Sequence, residues 1–228
     1  MNSGPTRVQL TWQDLSNNEE GFGIERNDGL FGWRLIGTVN ANTTSFVDRI
    51  QPTRDYRYRV RAVNSQGHSG YTNTISYTSP GAIIINDPLD NFNLIEARSS
   101  RVEIATRQTT PLKYDRDLNF VSSSSATPEY LIYHQPNLKD FTIASYATRS
   151  NSANFEVNYY SSMDGINWLP IEVNLNRTPT NLGQNTDVIF TTPTEILPDL
   201  TAYLKIEFSG IINLEEGIGN IKLIAAAN

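Results

Sequence analysis

The 228-residue chain has no cysteine, two histidines and two methionines, and these shortages exclude several kinds of chemistry. Without cysteine there is neither a disulfide framework nor a thiolate metal site. The two histidines, His68 and His134, are far apart in the sequence and offer few candidates for a general base or a zinc ligand. No apolar run is long enough to cross a membrane, and the first residues lack the apolar core of a signal peptide.

The formal net charge of −6 is unevenly distributed along the chain. Residues 1–82 carry 8 basic and 7 acidic side chains, whereas residues 83–228 carry 10 basic and 17 acidic ones. A protein that binds nucleic acid needs a basic face against the phosphate backbone. We therefore expect no nucleic-acid partner. Because no apolar run is long enough to cross a bilayer, we expect no membrane partner either.

Short runs in which apolar and polar residues alternate dominate the first third of the chain. Each run is bounded by Gly, Asn, Asp or Pro, which is typical of half-buried strands in an all-β sandwich. Val8, Leu10 and Trp12 fall on one face of the first run, so the indole of Trp12 is predicted to lie in the core. The alternative is an exposed Trp12 that stacks on a sugar. The runs cover residues 8–12, 20–26, 33–39, 44–48, 56–64 and 70–73.

The order of these runs resembles a fibronectin type III domain, which would occupy residues 1–80. Ile50, Pro52 and Tyr56 resemble the tyrosine-corner segment of such sandwiches, where a tyrosine hydroxyl holds the preceding crossover. The resemblance implies a module that spaces or presents another domain and is not itself an enzyme.

A Ser-Pro-Gly segment at residues 79–81 marks the predicted boundary, after which residues 81–228 form a second domain. About ten strand-like runs in this part favour a two-sheet β-jelly-roll sandwich, so the chain as a whole is predicted to be all-β. The connection 109–127 is polar and is predicted to be a long loop, of the kind that often binds ligands.

Four motifs stand out in the second domain: residues 87–92 (DPLDNF), 139–142 (KDFT), 158–168 (NYYSSMDGINW) and 203–207 (YLKIE). They resemble motifs of the jelly-roll carbohydrate-binding modules of secreted bacterial polysaccharide-degrading enzymes. The resemblance implies a polysaccharide partner, a parent catalytic domain in the same polypeptide, secretion to the cell exterior and a monomeric state. Together with Gly4 and Pro5 at the start, it suggests a segment of a longer protein.

A sugar-binding site needs aromatic rings that stack on the C–H face of a pyranose and polar groups that bind its hydroxyls. Phe155 and Tyr159 share the apolar face of their run, so Asn158 and Tyr160 are predicted to face outward. The alternative for Tyr160 is a ring that is half covered by a loop. Trp168 follows a turn where the resembling modules bury the indole, which implies a core position. The predicted ligand-binding residues are Tyr146, Arg149, Asn158, Tyr160, Tyr114 and Arg116.

The sequence predicts no catalytic residues. Paired carboxylates such as Glu215 and Glu216 lie in polar loops, where solvated turns explain them better than glycoside cleavage does. Asp87, Asp90 and Asn220 are candidate ligands of one structural calcium ion, as the resemblance implies. A capping or turn role for these three residues is the alternative. The alternative to polysaccharide binding is a structural or adhesive cell-surface fragment that binds protein.

Overall fold

The computed structural model of this protein describes residues 2–106, 119–123, 127–148, 156–179, 186–209 and 217–227. Within these ranges the chain forms antiparallel strands and no helix, so no helix there is long and apolar enough to span a membrane. The prediction of an all-β fold is confirmed.

The chain divides into two compact units. The first contains residues 1–82 and 226–228, and the second contains residues 83–225. Independent folding of the domains 1–80 and 81–228 stays a prediction, and it is taken up in the Discussion.

The first unit contains two antiparallel sheets. Their strand orders are β1-β2-β5 and β4-β3-β6-β7, with β8 pairing on β6. The strands are β1 (Asn2–Ser3), β2 (Arg7–Thr11), β3 (Gly21–Asn27), β4 (Trp33–Asn40), β5 (Ser45–Arg49), β6 (Asp55–Asn64), β7 (Gly67–His68) and β8 (Ile75–Thr78).

Inward side chains from both sheets form the core of the first unit, as the alternation predicts. Val8 and Leu10 of β2 pack in one buried cluster with Phe22 and Ile24 of β3. Trp12 packs against this cluster, with its ring 5.6 Å from that of Phe22, so its predicted core position agrees with the structure.

The predicted tyrosine corner is present in the first unit. The backbone N–H of Gln51 donates to the Tyr56 hydroxyl at 2.9 Å, and this hydroxyl donates to the Gln51 carbonyl at 3.2 Å. These bonds hold the crossover between β5 and β6, as a tyrosine corner does in β-sandwich domains.

The second unit is a sandwich of a five-stranded and a seven-stranded sheet. The strand orders are β10-β13-β19-β15-β16 and β11-β12-β20-β14-β18-β17, with β9 pairing on β20. The strands are β9 (Ala82–Asp87), β10 (Ala97–Arg98), β11 (Val102–Thr106), β12 (Asn119–Ser123), β13 (Glu129–His134), β14 (Leu138–Thr148), β15 (Glu156–Ser162), β16 (Leu169–Pro170), β17 (Val173–Pro179), β18 (Thr186–Pro193), β19 (Tyr203–Ser209) and β20 (Gly217–Ala226).

One hydrophobic core joins the two sheets of the second unit. Phe141 of β14 and Tyr159 of β15 stack with ring centroids 5.4 Å apart. The predicted long loop 109–127 was wrong in part, because residues 119–123 form β12 and pair with β11. Val121 on β12 is fully buried in the core, which explains why this short segment is a strand.

The buried phenol of Tyr133 is held by the carboxylate of Asp87. The Tyr133 hydroxyl donates to Asp87 Oδ2 at 2.8 Å, and the Leu89 N–H donates to Asp87 Oδ1 at 2.8 Å. Burial, followed by the neighbouring Asp87 charge, raises the pKa of Tyr133 well above its ordinary value. Asp87 thus connects a strand of the sandwich to the turn that leads away from β9.

We expect the second unit to lose stability in alkali. The folded state holds the Tyr133 proton more tightly than the unfolded state, so its contribution is complete below the ordinary tyrosine pKa of about 10 and is lost as the pH rises above it. Urea unfolding between neutral and alkaline pH measures this decline. Tyr133→Phe is the control and should decline less steeply, although Tyr159, whose pKa burial raises to about 12, retains part of the effect. If the free energy of unfolding fell equally steeply with pH in the wild type and in Tyr133→Phe, the decline could not be assigned to Tyr133.

Candidate functional site

The outward face of the five-stranded sheet carries aromatic and charged side chains in register. On the central strand β19, Leu204, Ile206 and Phe208 are buried, whereas the residues between them point away from the core. Lys205 lies between Ile132 and Tyr160 of the neighbouring strands, and Glu207 lies between Tyr130 and Asn158. We call this surface the aromatic face; it consists of Tyr130, Asn158, Tyr160, Trp168, Lys205 and Glu207.

Two aromatic rings lie close to the ammonium group of Lys205. Its Nζ atom lies 4.3 Å from the ring centroid of Tyr160 and 5.2 Å from that of Trp168. Lys205 Nζ is also 3.6 Å from Glu207 Oε2, so the cation and the acid largely compensate each other. The face therefore offers two rings, a donor, an acceptor and the amide of Asn158 without a strong net charge.

Partial burial, followed by the Glu207 carboxylate, raises the pKa of Tyr160. The phenol therefore stays protonated at neutral pH. Its hydroxyl lies 3.5 Å from Glu207 Oε1, which is the outer limit of a hydrogen bond. Tyr160 can thus both stack through its ring and donate a hydrogen bond to a ligand.

The position of Trp168 depends on the loop that joins β15 to β16. Asp164 Oδ1 accepts hydrogen bonds from the N–H groups of Ile166 and Asn167 at 2.9 and 2.8 Å. Backbone donation from Asn167 is the main reason why the pKa of Asp164 lies far below its ordinary value. Gly165 has a positive φ of 75°, and a side chain there would come within 3.3 Å of the Tyr203 ring. These contacts fix the path of the loop up to Trp168.

The predicted core position of Trp168 is wrong. Its side chain is only partly exposed, but it lies beside Lys205 on the outward face and outside the buried core cluster. The register explains the difference. Tyr160 pairs with Pro170 and Ser161 with Leu169, so Trp168 comes opposite the next residue of β15, on the same face as Tyr160.

The predicted exposure of Tyr146 is also wrong. The residue does lie on the face of β14 opposite Phe141 and Ile143, as its parity indicates, but only 1% of its surface is exposed. It packs in a small separate cluster with Ala144 and Val188. A ring that is buried in this way presents no face on which a sugar can stack.

The other predicted binding residues divide into two groups. Asn158 is exposed and Tyr160 partly exposed, and both lie on the aromatic face, as predicted. Tyr114, Arg116 and Arg149 lie outside the described residues. Sequence reasoning missed Lys205 and Glu207, although the alternation of Tyr203, Leu204, Lys205, Ile206 and Glu207 contains the signal, since every second residue is polar or amphipathic.

Calcium binding stays a prediction. Both carboxylate oxygens of Asp87 already accept hydrogen bonds, which supports the turn role that the sequence left open. Asp90 and Asn220 are exposed. In the part of the chain that the structure describes, no group of three or more His, Cys, Asp or Glu side chains is placed to hold a metal ion.

Comparison with known proteins gives no family assignment. No protein-family model matches the chain, and no curated protein matches it. Among solved structures, the FN1–FN3 domains of chicken CNTN1 match 98% of this chain at 16% identity and a TM-score of 0.32, and the chain spans 61% of that fragment. A SusE-like protein matches 91% of this chain, and 89% of its own length, at 12% identity and a TM-score of 0.39.

A third solved structure is described as promiscuous carbohydrate-binding modules from the β-sandwich superfamily. It matches 99% of this chain and 98% of its own length, at 12% identity and a TM-score of 0.28. All three TM-scores are too low to support an argument about function, which must come from the aromatic face itself.

Proposed function

We propose that the second unit binds a polysaccharide on the aromatic face without cleaving it. The observation that carries the proposal is the pair of rings, Tyr160 and Trp168, that lie close to the Lys205 ammonium group on an outward sheet face. Aromatic rings stack on the C–H faces of sugars, and the acid, amide and ammonium groups beside them bind hydroxyls through directed hydrogen bonds. Tyr130 enlarges the platform beyond Glu207.

Binding of this kind would hold a parent secreted enzyme on its substrate. A tethered catalytic domain gains a high local concentration of polysaccharide without any new catalytic contact. In this proposal the first unit acts as a spacer, and the protein works outside the cell. The one carboxylate of the aromatic face, Glu207, is compensated by Lys205 and is a poor candidate for an acid-base pair. Sustained release of reducing sugar by the pure chain would contradict the non-catalytic part of the proposal.

We expect Tyr160→Ala and Trp168→Ala each to weaken polysaccharide binding by about tenfold, because each removes one stacking ring. Affinity electrophoresis in gels that contain different polysaccharides measures the retention and identifies the substrate. Both variants should keep a thermal midpoint close to that of the wild type, since neither side chain belongs to the buried core.

Leu175→Ala is the matched control, because Leu175 is 65% exposed on β17 of the other sheet. Retention should be unchanged in this variant. If Trp168→Ala and Tyr160→Ala bind as the wild type does, the aromatic face is not the binding site.

A protein partner is the second candidate, and one observation favours it. Met163, Ile166 and Leu169 lie in or next to the loop that carries Trp168, and between 60% and 79% of their surfaces are exposed. An exposed apolar group of this kind often marks a protein interface. If no polysaccharide gel retains the wild-type chain, this alternative is favoured. The protein would then be a structural or adhesive surface fragment.

A further inference from the structure

Three exposed arginines of the first unit, Arg49, Arg54 and Arg57, have no side-chain partner among the described residues, and the last two of them lie together. All eight basic side chains in residues 1–82 are arginines. Arg26 pairs with Asp48, Arg34 with Asp28, and both Arg59 and Arg61 with Glu25. By contrast, Arg54 and Arg57 are exposed, and their side chains make no hydrogen bond or ion pair within the ranges that the structure describes.

Arg54 and Arg57 line the same cleft, which has a volume of about 530 Å³. Its two carboxylates are already engaged. Asp28 pairs with Arg34 at 2.5 Å, and Asp55 accepts a hydrogen bond from the Thr78 hydroxyl at 2.6 Å. The Thr78 hydroxyl is neutral and leaves the charge of Asp55 in place, whereas Arg34 offsets the charge of Asp28. Arg34, Arg54 and Arg57 against Asp28 and Asp55 therefore leave the cleft with one net positive charge. The lining residues are Asn27, Asp28, Gly29, Leu30, Gly32, Arg54, Asp55 and Arg57.

The loop that forms one wall of the cleft is held by its own hydrogen bonds. Asn27 Oδ1 accepts from the Gly29 N–H at 2.8 Å, and Asp28 Oδ1 accepts from the Leu30 N–H at 3.1 Å. Gly29 and Gly32 have positive φ angles of 79° and 72°, which glycine adopts without strain. Because this wall is already ordered, a ligand would not have to order it on binding.

The groups around the cleft fit a sugar that bears an anionic substituent. A guanidinium group matches the geometry of a carboxylate or sulfate and can donate two parallel hydrogen bonds to it. The Asn27 amide can bind sugar hydroxyls. The Trp33 indole lies on the same sheet face as Arg57, but Arg59 covers its ring at 4.1 Å and Trp33 does not line the cleft. Recognition therefore depends on the guanidinium groups and the Asn27 amide.

We propose that the cleft between residues 27–32 and the side chains of Arg54 and Arg57 binds the carboxylate or sulfate group of an anionic saccharide. The first unit is then a second binding module and does more than space the chain. This site is separate from the aromatic face and stands on different residues, so either proposal can fail alone.

Isothermal titration of the full chain tests this site with three tetrasaccharides: a galacturonate, a sulfated sugar and a neutral one. The double variant Arg54→Gln/Arg57→Gln should bind the preferred anionic sugar about tenfold more weakly or worse, because charged hydrogen bonds are lost. Added salt should weaken wild-type binding, since exposed charges are screened. The anion that binds more tightly identifies the substituent as carboxylate or sulfate.

Arg49→Gln is the control for the loss of one exposed arginine charge, because Arg49 is exposed on β5 and does not line the cleft. It should bind as the wild type does, and so should Trp168→Ala, which alters only the aromatic face. The proposal is overturned if neither anionic sugar binds better than the neutral one, or if the arginine double variant binds as tightly as the wild type. It is also overturned if Arg49→Gln or Trp168→Ala causes an equal loss.

Discussion

Replacing Phe141 with alanine is expected to lower the free energy of unfolding of the second unit by about 3–5 kcal/mol. The Phe141 side chain is fully buried, and its ring stacks on Tyr159 across the two sheets. Its removal leaves a cavity at the centre of the core that rigid strands on both sides cannot fill. Urea unfolding followed by circular dichroism and by Trp168 fluorescence measures the loss, since Trp168 is the one tryptophan in residues 83–225.

Leu175→Ala is the control for this measurement too, because it removes a large apolar side chain that is already exposed. Its effect should stay within about 0.5 kcal/mol, as for most surface substitutions. A loss of less than about 1 kcal/mol for Phe141→Ala would mean that the two sheets do not share the core described here.

Replacing Asp48 with alanine should lower the free energy of unfolding of the first unit by about 3 kcal/mol. The Asp48 carboxylate is buried and accepts two contacts from Arg26 Nη1, at 2.8 and 2.9 Å. It also accepts a hydrogen bond from the buried Tyr58 hydroxyl at 2.8 Å. Alanine leaves a guanidinium group and a hydroxyl without their acceptor, and this desolvation cost exceeds the net value of the pair itself.

Glu20→Ala is the matched control, since it removes the same charge from an exposed side chain. The two core variants together test independent folding. If the domains 1–80 and 81–228 fold separately, Asp48→Ala shifts only the transition of the first and Phe141→Ala only that of the second. A common shift of both transitions in either variant would refute separate folding.

The all-β architecture could be predicted from the sequence because strand periodicity is a local property. Val8 and Leu10 were placed on one face by alternation alone, and both are buried. The tyrosine corner could be predicted from the spacing of Ile50, Pro52 and Tyr56 alone. By contrast, β12 was missed because the run is short and its burial depends on pairing with β20, which is distant in the sequence.

The aromatic face could be predicted only in part, and Tyr146 and Trp168 show why. The alternation of apolar and polar residues predicts on which face of a strand a side chain lies, but it does not predict whether other residues cover that face. Tyr146 was therefore assigned to the correct face and the wrong environment. For Trp168, the decisive fact is the pairing of β15 with β16, which depends on how the loop at Asp164 closes. The approach of Lys205 to both rings depends on the pairing of β15 with β19, which no local pattern gives.

The loop at Asp164 also determines how the protein should respond to acid. A carboxylate whose folded-state pKa is depressed keeps its stabilising effect above the ordinary aspartate pKa of about 4 and loses it only as the pH falls through the lower folded value. The four hydrogen bonds that Asp164 accepts from Ser162, Ile166 and Asn167 therefore persist in mildly acidic surroundings. Trp168 stays in place there, so we expect that a moderate drop in pH does not by itself displace a ligand from the aromatic face.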